Sequence, residues 1–338
     1  MKIAVTIIAY NRVNSLKRLV NSLKAAVYTD KEVDLIVSVD KSDAEEVAQY
    51  VHTIQWPFDK LIKEVKTENM GLRNHILSCG GYFEKYGYDT LIVLEDDIFV
   101  SPYYYMYACD TVSQYKDDSD IAGISLYSLK RNLITGLPFE PLNSGYDVYF
   151  MQLAQSWGQI WLKDQWNQFK EWYDKNQNYD FDNSVVPSNL KSWPKTSWLK
   201  YHIAYCVENN KFFVYPYTSF TTNFADAGVH YKADTDVMQS ALMGGYSRLR
   251  LPQFDDDSVC KYDANQEYML LHRVLGVAEN ELCVDLFGSK DLKQAKRYLL
   301  TRKVYPFEIK KTFGLKMKPH GCTIFCIWCL WLAVRCPL

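Results

Sequence analysis

What this sequence has little of narrows the field before any motif is read. There is no surplus of charge of either sign: 38 Lys and Arg stand against 40 Asp and Glu, a formal net charge of −2. A protein whose main partner is nucleic acid carries a basic footprint, and none is present. No apolar run reaches the roughly 20 residues that a membrane-crossing helix needs. The opening run, residues 3–9, is short and β-branched and meets Asn11-Arg12 at once, with no small-residue cleavage site. It reads as a first strand and not as a signal peptide. The 9 Cys are scattered, without the recurring C-x-x-C pairs of a zinc framework. An odd number of cysteines behind no signal peptide points to the reducing cytosol and to no disulfide framework. Internal repeats and low-complexity tracts are also missing.

What is present fits a folded α/β protein. The 338 residues suffice for one large α/β domain or two small ones sharing a sheet, and 48% hydrophobic residues supply a core. Aromatic residues make up 15%, with 26 Tyr and 9 Trp. Such rings stack on sugar and base faces, although large cores also use them.

Along the chain, residues 3–9 read as a buried strand. Asn14 and Ser15 are cap-type residues before Leu16, Leu19, Val20 and Leu23, one apolar helical face. Further strands are expected at 33–39, 61–65 and 91–94, with helices at 43–51 and 71–85, the latter weakened by Gly80-Gly81. Repeated βα units of this length imply a mostly parallel sheet flanked by helices, with ligands at the carboxyl ends of the strands. Beyond residue 125, strands are expected at 146–153 and 212–217 and helices at 161–173 and 198–209. The polar stretch 176–194 reads as a long loop or lid.

The tail, 319–338, is apolar, Trp-bearing and too short to span a bilayer, and Lys310, Lys311, Lys316 and Lys318 precede it. It reads as a membrane-surface anchor on an anionic cytoplasmic leaflet, as a last helix packed on the core, or as an unusual or frame-altered C-terminus that does little.

The strongest chemical signal is Leu91-Ile92-Val93-Leu94-Glu95-Asp96-Asp97. Carboxylates crowded at the end of a buried strand repel one another and lose hydration. A divalent cation, Mn²⁺ or Mg²⁺, relieves both costs and can bridge diphosphate oxygens. An acidic turn at a helix start is the plainer alternative. Other strand ends carry Tyr10-Asn11-Arg12, Asp40, and Asn69 through Asn74 with Arg73 among them. Arginines there can contact phosphates, and a strand-end Asp can accept from a base N–H. Asp255-Asp256-Asp257 is expected in a solvated loop.

The succession Ala9-Tyr10-Asn11-Arg12, Asp40, Asn69 to Asn74 and Glu95-Asp96-Asp97 resembles the GT-A glycosyltransferases, especially family 2-like bacterial polysaccharide enzymes. It also resembles the Golgi N-acetylglucosaminyltransferase that initiates complex N-glycans, through Ser156 to Trp161, Trp193 to Trp198 and Asn223 to His230. In all, the resemblance covers roughly residues 3–232, in short blocks. It implies a Rossmann-like GT-A sheet with a C-terminal acceptor-side region. The expected division is 1–125 for the nucleotide sugar, 126–235 for the acceptor side, a helical extension at 236–318 and the tail.

The implied activity is hexosyl or N-acetylhexosaminyl transfer from a nucleotide sugar, UDP-sugar favoured, to a saccharide or lipid-linked acceptor in bacterial polysaccharide synthesis. The resemblance further implies Asp97 and His230 at the metal, Glu95 and Asp96 holding the donor, Asp40 on the base and Arg73 on the phosphates. Tyr10, Arg12 and Asn69 belong to the same donor pocket. One departure stands out: where the Golgi-type enzyme carries its catalytic Asp after Trp, this chain has Leu199. An inverting transfer must then take its base from elsewhere, Asp226 first and Asp182 in reserve. Two other readings remain. A nucleotidyltransferase usually opens with a Gly-rich basic loop that Ala9 to Arg12 does not match. A non-catalytic binding relative is made thinkable by Leu199.

Overall fold

In the computed structural model the described residues are 1–29, 32–43, 45–226, 235–311 and 333–335. They divide into two compact units. The larger comprises Met1–Leu129, Pro141–Tyr179 and Trp193–Val259, and the smaller Lys130–Glu140, Asp180–Ser192 and Cys260–Leu338.

The larger unit is an α/β sheet flanked by helices. Its elements are β1 (Ile3–Ala9), α1 (Val13–Lys24), β2 (Asp34–Val39), α2 (Glu45–Thr53), β3 (Leu61–Val65), α3 (Gly71–Cys79), α4 (Tyr82–Tyr86) and β4 (Thr90–Glu95), then β5 (Ile98–Val100), α5 (Tyr104–Tyr115), β6 (Ile121–Ser125), β7 (Val148–Met151), β8 (Gln159–Leu162), α6 (Lys163–Lys175), a helix at Leu199–Glu208, β9 (Phe212–Pro216) and β10 (Thr221–Asn223). Strand order in the main sheet of this unit is β7-β9-β6-β8-β4-β1-β2-β3. The block β4-β1-β2-β3 is parallel throughout, and β8 enters antiparallel between β4 and β6. Every residue of β1 and of β2 is buried, the condition that makes a parallel strand a continuous apolar run.

The path of the chain fixes where a ligand can sit. It runs from β1 outward through β2 to β3, then returns to the other side of β1 as β4. The crevice between the carboxyl ends of β1 and β4 is therefore the topological switch point of the sheet.

The helix expected over 71–85 is two helices, broken where Gly80 packs: a Cβ there would lie 2.0 Å from the Trp166 indole nitrogen. The helix expected from 161 starts at Lys163, because Gln159–Leu162 is strand β8 instead.

Of the range 236–318, expected as a helical extension, residues 236–259 belong to the larger unit and 312–318 lie outside the described residues. The smaller unit's described part after residue 260 contains one short α-helix, Leu271–Leu275, and strands at Leu282–Asp285, Tyr298–Thr301 and Glu308–Lys311. The Ala333–Arg335 backbone pairs antiparallel with both of the last two strands. Leu282, Val284 and Leu300 form the core, with Leu271, Leu275 and Val277 packed against it. Two-residue alternation in short segments, not a helical stripe, is what burial on one sheet face needs. The rest of the tail lies outside the described residues. Among those described, no helix is long and apolar enough to cross a membrane.

Candidate active site

The site is built on the register of β1 against β4. Ile8 lies opposite Glu95, so the residues after each strand emerge side by side. The Tyr10 backbone N–H reaches Asp96 Oδ2 at 3.5 Å. The Arg12 guanidinium then bridges the acidic turn: Nη1 donates to Asp97 Oδ2 at 2.9 Å, and Nη2 donates to Asp96 Oδ1. Asp96 and Asp97 are buried, and their charge is tolerable there because of this pairing. Asp97 Oδ1 is buried as well, and has no hydrogen-bond partner among the described residues.

The electrostatics follow from that crowding. Burial, then the neighbouring Asp97, pushes the Glu95 carboxyl far above its ordinary value, with Arg12 opposing. Burial pushes Asp96 up to about 6, again against Arg12. Burial works against the charge on Arg12, but the Asp96 and Asp97 carboxylates outweigh it and raise its pKa.

A second network joins α1 to the strand β10. That strand pairs with β5, immediately after the acidic turn, and the Phe224 N–H donates to the Asp97 carbonyl at 3.0 Å. This brings Asp226 over α1, where its carboxylate accepts from Ser15 Oγ at 2.7 Å and from both Arg18 Nη atoms, Nη1 at 3.2 Å. Arg12 Nη1 also donates to the Asp226 carbonyl at 3.4 Å. Burial works upward on Asp226, but Arg18 and Ser15 outweigh it and hold the carboxyl below its ordinary value. A carboxylate so engaged is a poor proton acceptor, which counts against its expected role as base. Ser15 and Arg18 were not singled out as site residues. The signal was their i, i+3 spacing, which puts both on one side of α1. Ser15, expected as a cap, spends its hydroxyl on Asp226.

Other expected residues divide. Asp40 lies at the end of β2, where its oxygens accept the N–H groups of Met70 at 2.8 Å, Gly71 at 3.0 Å and Lys41 at 3.0 Å. It thus closes the start of α3, where Gly71 takes φ +72°, a conformation that favours glycine. Asn69 donates to the Tyr10 hydroxyl at 3.3 Å and to the Lys41 carbonyl at 2.7 Å, forming a rim beside β1 and β2. Arg73 instead donates to the Lys195 carbonyl at 2.9 Å and the Tyr201 hydroxyl at 3.4 Å, and not to the acidic turn. Asp182 is an exposed residue of the smaller unit. His230 lies outside the described residues, and Leu199 opens the helix Leu199–Glu208.

No family model matches the sequence, and no curated protein does. Solved structures do resemble it. S. aureus TarS 1-349 in complex with UDP-GlcNAc is 15% identical, covering 68% of this chain and 60% of that one, at a TM-score of 0.43. The mannosyltransferase PcManGT from Pyrobaculum calidifontis, in complex with GDP-Man and Mn²⁺, is 11% identical over 48% of this chain and 45% of that one, at 0.37. The matched part therefore spans less than two thirds of either neighbour. Likeness this distant says nothing about chemistry, which has to be argued from the site itself.

That site fits a divalent cation by one test. Among the described residues no three His, Cys, Asp or Glu side chains converge as a ready-made cage. A small hard cation does not need one, because it is commonly held by one or two carboxylates, waters and substrate phosphates. Asp97 Oδ1, buried and without a partner among the described residues, is an oxygen of that kind.

Proposed function

We propose that the chain is a metal-dependent glycosyltransferase of the GT-A type, moving a sugar from a nucleotide-sugar donor, UDP-sugar favoured, to a saccharide or lipid-linked acceptor. One observation carries the reading. The acidic turn Glu95-Asp96-Asp97 and the basic Arg12 face each other across the β1/β4 switch point, with one buried carboxylate oxygen left without a donor among the described residues. A nucleoside diphosphate bound with a cation supplies both the anion and the cation that such a crevice lacks.

In this reading Asp97, with His230 as a second ligand, holds Mn²⁺ or Mg²⁺, which when bound neutralises the leaving diphosphate. Arg12 adds positive charge on the phosphate side. Tyr10 and Asn69 shape the rim for the base and ribose, and Asp40 keeps the α3 turn in place beneath them. Glu95 and Asp96 hold the turn and the donor. Arg73 reaches the phosphates only by leaving Lys195 and Tyr201. The setting proposed is polysaccharide synthesis at the cytosolic membrane face.

The test combines two assays. UDP should raise the melting temperature only when Mn²⁺ or Mg²⁺ is present, by about 2.7 kcal/mol of stabilisation at a hundredfold excess over the dissociation constant. Asp97→Ala should abolish sugar transfer, read by mass spectrometry, while circular dichroism stays unchanged. Full activity of that variant in chelator would sink the proposal. Pyrophosphate release would mean a nucleotidyltransferase, and binding without turnover a non-catalytic relative.

A further inference from the structure

The two carboxylates under Arg12 are not equivalent. Asp96 has both oxygens engaged: Oδ1 by Arg12 Nη2 and Oδ2 by the Tyr10 N–H at 3.5 Å. Asp97 has Oδ2 paired with Arg12 Nη1 at 2.9 Å, while its buried Oδ1 faces no donor among the described residues. The guanidinium holds the two acids through two different nitrogens, so it can release one and keep the other. Its side chain is also the more exposed partner, 24% against 4% for Asp96 and 10% for Asp97, which leaves it room to move.

We propose that Arg12 is a resident counter-cation of the acidic turn, which the incoming divalent cation displaces from Asp97 while Asp96 keeps hold of it. This rests on the transferase reading of the same site. A cation on Asp97 Oδ1 would lie within roughly 6 Å of a guanidinium still seated on Oδ2, and like charges that close repel in a partly desolvated crevice. Arg12 and the cation therefore compete for Asp97. Without the nucleotide, Arg12 keeps the buried turn partly neutralised and metal binding weak. With it, the diphosphate supplies additional metal ligands and an anion for the released guanidinium, so cation and donor load together. Asp96 is on this account a positioning residue for Arg12, and Asp97 alone of the pair faces the cation.

The experiment is a Mn²⁺ titration of the full chain without nucleotide, read by the electron paramagnetic resonance signal of free Mn²⁺. Arg12→Gln should bind Mn²⁺ at least about tenfold more tightly than the wild type, because a competing charge has gone. Adding Asp97→Asn should erase that gain. Arg12→Lys keeps the charge but cannot span two carboxylates, and should bind about threefold more tightly than the wild type. If Arg12→Gln does not fold, the lysine variant carries the test. Mn²⁺ affinity equal to or below that of the wild type in the folded variant overturns the proposal. Failure of the transferase reading looks different: no nucleotide sugar is turned over by the wild type, whatever the titration reads.

Discussion

His202 offers a sharp test of how this core was built. It sits on the helix Leu199–Glu208, 1% exposed, stacked on Phe169 with centroids 4.1 Å apart and surrounded by Trp166, Trp198 and Phe213. Neither ring nitrogen has a hydrogen-bond partner among the described residues. Burial pushes its pKa down to about 3, against about 6.5 for an unfolded histidine. Between those values the unfolded chain binds a proton that the folded chain refuses. This contribution to stability is therefore complete above about pH 6.5 and is lost as the pH falls. At pH 5 the gap of about 1.5 units is worth about 2 kcal/mol, and a folded value one unit higher hardly changes that. His75, buried and pushed down to about 4, adds in the same direction, whereas Glu267 acts oppositely. The wild-type profile is thus a sum, and only a difference isolates His202. In His202→Phe the stability lost between pH 7 and pH 5 should shrink by about 2 kcal/mol. Urea unfolding followed by Trp fluorescence at the two pH values measures it. Equal losses in variant and wild type would refute the reasoning. At pH 7 alone the two proteins should differ less, since removing the orphaned polar ring, worth about 1–3 kcal/mol, is offset by tighter packing.

Glu267, 2% exposed and pushed up to about 8 by burial, is destabilising once the unfolded chain ionises. Stability from this group falls as the pH rises from about 4.5 to 8, so Glu267→Gln should gain about 2–3 kcal/mol on the wild type between pH 5 and pH 7, measured by urea unfolding. Asp226→Asn breaks the pairing with Arg18 and should cost about 1–3 kcal/mol of stability, with nucleotide affinity falling as α1 loosens. A drop of about 10²–10⁴ in turnover with affinity intact would instead restore Asp226 as the base, and the same drop in Asp182→Asn would assign the base there. Truncation after Lys318 removes the Ala333–Arg335 strand and leaves two strand edges unpaired, so the shortened chain should aggregate, checked by size-exclusion chromatography. A monodisperse truncated protein released from membranes would mean an anchor instead.

Local pattern was enough for the parallel block of the sheet. Residues 3–9, 33–39 and 91–94 announce β1, β2 and β4 because a strand buried on both faces is mostly apolar, residues 61–65 announce the partly exposed β3, and the acidic turn is visible as the break in the last run. Where one segment satisfied two patterns, locality failed. Trp161 and Leu162 suit the start of a helix stripe or a strand equally, and only pairing with β4 and β6 made residues 159–162 β8. The short strands after 282 each stabilise little by themselves and exist only as partners, so a reading without partners took them for helix.

The same division runs through the site. That Glu95, Asp96 and Asp97 would end a strand beside Tyr10 and Arg12 follows from the βα rhythm. That Arg12 bridges acids 84 and 85 residues away, that Asp226 is bound to α1 from 208 residues away, and that Arg73 turns to Lys195 instead does not. The chain alone determined which side chains stand at strand ends, because burial acts residue by residue. Which of them neutralise one another was decided only by tertiary structure, because a charge leaving water takes the partner that strand register brings within reach.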